Sequence, residues 1–145
     1  MSTDRVRLSH LYEDLTSRIA SLTGDSGGVR ASRSIVEAAL GDGKAYYGTN
    51  TGLGILADKR IEPDQLRQLQ KNLILSHAVG VGEPVPMDIS RLILGIKIHS
   101  LGLGFSGISL NTFKKLIELW DRQLTPVIPS RGSVGASGDL APWHT

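Results

Sequence analysis

The sequence of 145 residues contains no cysteine. This absence excludes disulfide bonds, zinc sites with cysteine ligands and catalysis by a thiol. A chain without disulfides suits a reducing compartment, so we predict a cytoplasmic protein. Histidine is also scarce, and because neither His10 nor His99 has a partner at metal-ligand spacing, we assign these two residues no role and predict no metal site.

An excess of charge of one sign is also lacking. Sixteen Lys and Arg residues oppose fourteen Asp and Glu residues, and they are scattered, which indicates no nucleic-acid partner. The longest apolar run, LILGI at 92–96, is too short to cross a bilayer. The start, MSTDRVRLSHLYEDL, has charges where a signal peptide has its apolar segment, so we predict no membrane association.

Helical periodicity is the main structural signal. Apolar residues recur every three or four positions in five segments, which predicts a mainly α fold without a linker between domains. Ile35 is expected on the inner side of the second helix and Leu124 on that of the fifth, whereas AYYGTNTGLG at 45–54 is predicted to be a short strand that runs into a loop. The predicted helices extend from Leu8 to about Gly24, from Val29 to Leu40, from Pro63 to His77, from Ile89 to Leu103 and, with Ser109 as N-cap, to Leu124.

Seventeen glycines are well above average usage, and two glycine-rich loops resemble known motifs. GLGFSG at 102–107 matches G-x-G-x-x-G, but a helix precedes it and no acidic residue follows at the required distance, so we predict a turn between helices. GASGD at 135–139 begins like a nucleophile elbow, yet Asp139 stands where that motif needs glycine. A serine hydrolase is therefore disfavoured.

The tripeptide Ala136-Ser137-Gly138 permits a different chemistry. If the amide nitrogen of Gly138 reaches the carbonyl carbon of Ala136, a five-membered ring closes with loss of water, and glycine suits this approach because it lacks a Cβ. Loss of the Ser137 hydroxyl as a second water would leave an exocyclic methylene, which is an electrophile. By itself, however, so common a tripeptide favours a flexible surface loop.

Three blocks together resemble the aromatic amino-acid ammonia-lyases, in that family's order and spacing. They are YGTNTGLG at 47–54, NLILSHAVGVGEPVP at 72–86 and GSVGASGDLAP at 132–142. The resemblance implies the N-terminal portion of the ammonia-lyase/fumarase-like helical fold, with short strands and glycine-rich loops around the prosthetic-group segment. It further implies that residues 1–145 are a single incomplete N-terminal domain without the C-terminal helical bundle, and that the complete protein is a homotetramer.

The resemblance also assigns the prosthetic group. It implies that Ala136, Ser137 and Gly138 cyclise autocatalytically into 4-methylidene-imidazol-5-one, so that no external cofactor is required. Asp139 is implied as an aid to ring formation, and a helix N-cap at Asp139 is equally compatible with the sequence.

Catalytic and binding roles follow from the resemblance of the first block. Tyr47 corresponds to the family's catalytic tyrosine, which removes a β-proton of the substrate. Because the pKa of free tyrosine is about 10, this role requires surroundings that lower the pKa. Tyr46 is predicted to be an ordinary aromatic residue, while Asn50 and Gly54 are implied as substrate-binding residues in a loop that lies over the active site and moves for substrate entry.

Residue His77 bears on the choice of substrate. Histidine-specific members of the family carry Ser-His at this point, and this chain has Ser76-His77. The resemblance therefore implies that His77 binds L-histidine, which is converted to urocanate and ammonia, since an imidazole can hydrogen-bond another imidazole. Without the surrounding block, a lone histidine on an apolar helix face favours a buried structural residue.

Two departures from the family pattern accompany the resemblance. Trp143-His144-Thr145 replaces the usual continuation into a long helix, from which we expect a truncation, a frameshift or an engineered end. Leu53 stands where many members have phenylalanine. Because family members are several times longer, we expect the 145-residue chain alone to be inactive. A phenylalanine or tyrosine lyase, an aminomutase with the same prosthetic group, and a non-catalytic truncated helical module remain alternatives.

Overall fold

The computed structural model describes residues 6–52 and 58–132, apart from the side chain of Pro63. This part of the chain is mostly helical, which confirms the predicted mainly α fold, and it includes two short strands. One turn of 3₁₀-helix, Leu8–His10, leads into the first α-helix. The helices are α1 (Leu11–Gly24), α2 (Gly27–Gly41), α3 (Pro63–His77), α4 (Met87–Gly102) and α5 (Leu110–Asp121), and the strands are β1 (Val81–Pro84) and β2 (Pro129–Arg131).

The chain divides into two compact units. The core unit comprises Met1–Val36 and Pro86–Pro126, and the site unit comprises Glu37–Val85 and Val127–Thr145. Helices α1, α4 and α5 belong to the core unit, whereas the site unit contains α3 and both strands. The single incomplete domain inferred from the sequence stays a prediction.

Helix α4 buries one of several apolar sides. The buried side includes Leu94, Gly95 and Ile98, whereas Ile89 and Ile96 are exposed. The helix has apolar residues on most sides, so periodicity alone could not select the inward face. Glycine at position 95 permits this side of the helix to pack closely, because a Cβ there would lie only 2.8 Å from the ring of Trp120.

Helix α2 also differs in one position from its predicted inner face. Its buried residues are Val29 and Ser32, and Ile35 is 71% exposed. With 3.6 residues per turn, Val29, Ser32 and Val36 lie on one side of the helix, whereas Ile35 lies about 100° away from Val36. The prediction that Ile35 points inward is therefore wrong, although the helix itself is confirmed.

Helix α5 begins as predicted and ends earlier. The Ser109 hydroxyl accepts a hydrogen bond from the backbone N–H of Thr112 at 3.1 Å, which confirms the N-cap. After Asp121 the backbone turns out of the helix, since Gln123 has a left-handed φ of 56° and the N–H of Leu124 donates to the Leu119 carbonyl at 2.9 Å. Leu124 is consequently exposed rather than inward.

The GLGFSG segment is a turn between α4 and α5, as predicted. Gly104 has φ of 80°, and a Cβ there would come within 2.8 Å of the backbone of Gly28 at the start of α2. Gly107 has φ of 67°, and its N–H donates to the Ser32 hydroxyl at 3.0 Å. These glycines therefore permit close packing of the turn against α2, which is a structural role within the core unit.

Substitution of Gly104 by alanine is expected to lower the free energy of unfolding by about 3 kcal/mol, because the added Cβ meets backbone and the φ is unfavourable for an L-residue. Urea titration followed by circular dichroism measures this change. Gly24→Ala is the matched control: its Cβ would meet no atom within 4 Å, and its position at the end of α1 tolerates alanine. Equal unfolding midpoints for the two variants would contradict the expected cost.

Arg91 connects three elements of the core unit. Its guanidinium stacks on the Trp120 ring at 4.1 Å from the centroid, Nη2 donates to the Trp120 carbonyl at 3.1 Å, and Nε donates to the Tyr12 hydroxyl at 3.2 Å. Cation–π stacking and hydrogen bonding thus hold α4 against α5 and α1. Tyr12 accordingly has a packing role.

Candidate functional site

The strands of the site unit connect two of the sequence blocks. β1, which follows α3 by a short connection, pairs antiparallel with β2 in the register Val81 with Arg131 and Pro84 with Pro129. The N–H of Val85 extends the ribbon by donating to the Ile128 carbonyl at 2.8 Å. β2 leads directly into the GSVGASGDLAP block. Ala136, Ser137, Gly138 and Asp139 lie outside the described residues, and so does Gly54.

The segment that contains Tyr47 is a turn, so the predicted short strand at its start is wrong. The carbonyl of Tyr46 accepts hydrogen bonds from the N–H groups of Thr49 and Asn50, at 3.0 and 3.1 Å. Gly48 has φ of 72°, which lets the backbone reverse at this point. Tyr47, the predicted catalytic base, is 67% exposed on this turn. We call residues 44–52 the Tyr47 turn.

The buried side chain of Asn50 stabilises the Tyr47 turn by hydrogen bonds to its backbone. It is only 1% exposed, its side-chain oxygen accepts the N–H of Tyr46 at 2.7 Å, and its side-chain nitrogen donates to the Lys44 carbonyl at 2.8 Å. The backbone carbonyl of Asn50 accepts the N–H of Ile61 at 2.8 Å. Both ends of the amide are thus engaged with the turn's own backbone, while the contact of Asn50 with substrate stays a prediction.

The base of the turn is closed by residues on both sides of 53–57. Thr51 pairs with Arg60 in an isolated β-bridge, and the N–H of Gly52 donates to the Lys59 carbonyl at 3.3 Å. The Arg60 guanidinium donates to the Gly43 carbonyl at 3.1 Å. Residue Thr51 is buried. The described residues on either side of 53–57 are therefore joined by backbone pairing.

Asp42 forms a hydrogen bond with Tyr46, the first of the two adjacent tyrosines. The Tyr46 hydroxyl donates a hydrogen bond to the Asp42 carboxylate, and this bond, together with burial and the nearby charge, raises the pKa of Tyr46 above its ordinary value. The same hydrogen bond lowers the pKa of Asp42. The Tyr46 hydroxyl is therefore engaged with Asp42, whereas the Tyr47 side chain is largely exposed. Sequence reasoning did not identify Asp42 as the partner of Tyr46, although the two residues are only four positions apart.

His77 occupies the last turn of α3. The predicted apolar face of this helix is confirmed, because Leu66, Leu69, Leu73 and His77 are its half-buried positions. Nδ1 of His77 lies 2.8 Å from the Leu73 carbonyl oxygen and 3.0 Å from the Ser76 hydroxyl, which itself donates to Leu73 at 2.9 Å. A carbonyl oxygen only accepts, so the contact with Leu73 assigns the donor role to Nδ1.

Metal ligation and membrane insertion find no support among the described residues. No group of three or more His, Asp or Glu side chains in this part of the chain could hold a metal ion. No helix within residues 6–52 and 58–132 has the length and apolar character of a membrane span. His10 instead forms an exposed ion-pair contact with Glu13, at 3.1 Å.

Comparison with known proteins defines the class of this chain. The sequence profile of the family described as "Aromatic amino acid lyase" matches residues 16–144. The chain belongs to this family, as the three blocks indicated. The chain covers between 22% and 28% of the length of the curated relatives compared below.

Those relatives are histidine ammonia-lyases. The protein of Anaeromyxobacter dehalogenans is 51% identical over 114 residues, which cover 79% of this chain and 22% of the relative. The protein of Salmonella paratyphi B is 44% identical over 145 residues, which cover 98% of this chain and 28% of the relative.

Solved structures of the family have a similar fold. Histidine ammonia-lyase from Trypanosoma cruzi has a TM-score of 0.69 and 35% identity, over 81% of this chain and 22% of that one. Pantoea agglomerans phenylalanine aminomutase has a TM-score of 0.74 and 32% identity, over 90% of this chain and 27% of that one. These similarities confirm that the chain has the helical fold of the N-terminal portion of such enzymes.

Proposed function

We propose that this chain supplies the N-terminal part of a histidine ammonia-lyase, which eliminates ammonia from L-histidine and releases urocanate. The observation that carries the proposal is the identity of 44% to 51% with histidine ammonia-lyases over most of the chain. The Ser76-His77 pair at the end of α3 agrees with it. The complete enzyme is proposed to be a cytoplasmic homotetramer, as the family resemblance implies.

The residue types of the prosthetic-group segment fit a methylidene-imidazolone, since Ala136, Ser137 and Gly138 supply the carbonyl, the hydroxyl and the unhindered amide that its formation needs. This group supplies an electrophilic methylene that holds the substrate amino group. The β1–β2 ribbon supports the assignment because it holds the backbone just before this segment beside the strand that follows α3. Asp139 remains proposed as an aid to ring formation.

Tyr47 is proposed to remove the β-proton of the substrate. Its exposure leaves the phenol accessible, whereas the hydroxyl of its neighbour Tyr46 is hydrogen-bonded to Asp42. A phenol acts as a general base only after it has lost its own proton, so the site must stabilise the Tyr47 phenolate when substrate is bound. Asn50 and Gly54 are proposed to border the bound substrate in the same loop.

His77 is proposed to recognise the imidazole of the substrate. The imidazole of His77 is proposed to exchange a hydrogen bond with the imidazole N–H of the substrate. A phenyl ring has no donor for this contact, so phenylalanine would gain no hydrogen bond from His77. This difference in hydrogen bonding between the two substrates supports a preference for histidine over phenylalanine.

Similarity to the phenylalanine aminomutase favours one alternative within the family. The TM-score of 0.74 to that enzyme shows that the fold of this segment is shared by lyases and aminomutases. An aminomutase would retain the amino group on a β-amino acid product, whereas a lyase releases ammonia. Product analysis therefore separates the two functions.

Substitution of His77 by leucine is expected to lower kcat/KM for histidine roughly 10- to 100-fold, since a hydrogen bond to the substrate is lost. Activity is measured as urocanate absorbance in a joined enzyme, in which residues 1–145 precede the remaining part of the Salmonella paratyphi B relative. The control is His10→Leu, in the exposed 3₁₀ turn that precedes α1. An unchanged preference for histidine over phenylalanine in the His77 variant would refute the proposed role of His77.

A further inference from the structure

Tyr46 is held at both its side chain and its backbone. Its hydroxyl donates to the Asp42 carboxylate, and its N–H donates to the side-chain oxygen of Asn50 at 2.7 Å. Its carbonyl accepts the N–H groups of Thr49 and Asn50. The side chain and both backbone polar groups of Tyr46 are therefore engaged, which restricts rotation of this residue about either of its backbone dihedrals.

This restriction extends to Tyr47 through the peptide bond. The carbonyl of Tyr46 and the nitrogen of Tyr47 belong to one planar unit, so hydrogen bonds that orient the carbonyl also orient the backbone from which the Tyr47 side chain projects. Tyr47 is largely exposed, so the backbone of the turn contributes to its orientation. Placement of a catalytic group within about 1 Å has large effects on rate.

The Asp42 anchor lies at the end of α2. The carboxylate of Asp42 accepts the N–H of Lys44 at 2.8 Å in addition to the Tyr46 hydroxyl. The charges of Lys44 and Arg60 favour its ionised form. Asp42 thus ties the side chain of Tyr46 to the backbone at the start of the turn, through a hydrogen bond to a charged group, which is stronger than a neutral one.

We propose that Tyr46 is a positioning residue for Tyr47: by its bonds to Asp42 and Asn50 it holds the peptide that carries the catalytic base. This inference rests on the proposed function. It gives Tyr46 a role in the reaction without contact with the substrate, whereas sequence reasoning treated Tyr46 as an ordinary aromatic residue.

The first test uses the 145-residue chain. Tyr46→Phe removes only the hydroxyl, and we expect amide hydrogen exchange at Thr49 and Asn50, whose N–H groups donate to Tyr46, to accelerate about tenfold. Tyr12→Phe is the matched control, because the Tyr12 hydroxyl accepts from Arg91 in the core unit. Unchanged exchange at Thr49 and Asn50 in the Tyr46 variant would overturn the proposal, and protected amides in α4 would show that the variant is folded.

The second test measures the consequence for catalysis in the joined enzyme. Tyr46→Phe and Asp42→Ala are expected to lower kcat about tenfold, with KM changed less than twofold, because the base is misplaced while substrate binding is retained. Asp42→Asn, which keeps an acceptor for the Tyr46 hydroxyl, is expected to restore most of kcat. A kcat equal to that of Tyr12→Phe would overturn the positioning role. If the unsubstituted joined enzyme forms no urocanate, the proposed function fails, and amide exchange still decides whether Tyr46 holds the turn.

Discussion

Replacement of Tyr47 by phenylalanine is expected to lower kcat of the joined enzyme by about 10³-fold. The substitution removes the only atom of the side chain that can take up a proton, and general-base catalysis by a positioned side chain typically contributes 10²- to 10⁴-fold. The aromatic ring is kept, so packing of the exposed side chain on its turn should change little. Steady-state formation of urocanate measures the effect.

The three tyrosines of the chain provide a graded comparison for this prediction. Phenylalanine at 47 removes the proposed base, phenylalanine at 46 removes a hydrogen bond that positions it, and phenylalanine at 12 removes a contact in the core unit. We expect losses of kcat of about 10³-fold, about tenfold and less than twofold, respectively. If Tyr46→Phe cost more than Tyr47→Phe, the base would be Tyr46 and the assignment from the sequence block would be wrong.

The sequence predicted helical features well where a motif of a few neighbouring residues specifies a single local structure. The N-cap of α5 depends on Ser109 and an amide three residues away, and the buried Phe113 and Ile117 follow at helical spacing. The cap involves only neighbours along the chain, and the spacing of the apolar residues is a property of the segment itself. The turn at 102–107 was predictable for the same reason, since its glycines follow a helix.

The buried face of a helix was less predictable where contacts with distant segments determine which side packs inward. Helix α4 is apolar on most sides, so periodicity does not indicate which side is buried. The observed side includes Gly95, which packs closely against the Trp120 ring. The close approach of Gly104 to Gly28 likewise joins residues far apart in sequence. Neither contact has a signal in a single sequence, because both depend on complementary shapes of two segments.

The conformation of the Tyr47 turn differs from the sequence-based expectation. The aromatic pair Tyr46-Tyr47 favours a strand by propensity. The turn forms instead because Gly48 has a left-handed φ and the Asn50 side chain bonds backbone at Tyr46 and Lys44. Such side-chain bonds to nearby backbone compete with regular structure. The role of Asp42 depends on this turn, which explains why it was not anticipated.

Substitution of Ser137 by alanine is expected to abolish deamination by the joined enzyme. Formation of the proposed group removes two water molecules, one as the Gly138 nitrogen bonds to the Ala136 carbonyl carbon and one as Ser137 loses its hydroxyl and an α-hydrogen. Alanine at 137 has no hydroxyl to lose, so no exocyclic methylene forms even if the ring closes. We therefore expect the variant to lack the mass deficit of two waters and to show at most the loss of one.

Intact mass and urocanate formation, measured on the same preparation, test this step. Ser130→Ala is the matched control, because Ser130 lies on the exposed side of the ribbon that precedes the segment and has no part in ring formation. The control should show the two-water deficit and full turnover. Urocanate formation by Ser137→Ala would refute the chemistry assigned to the tripeptide, whereas loss of turnover in both variants would point to disruption of the ribbon. The pair therefore separates a covalent role of the Ser137 hydroxyl from a conformational effect on the segment that contains it.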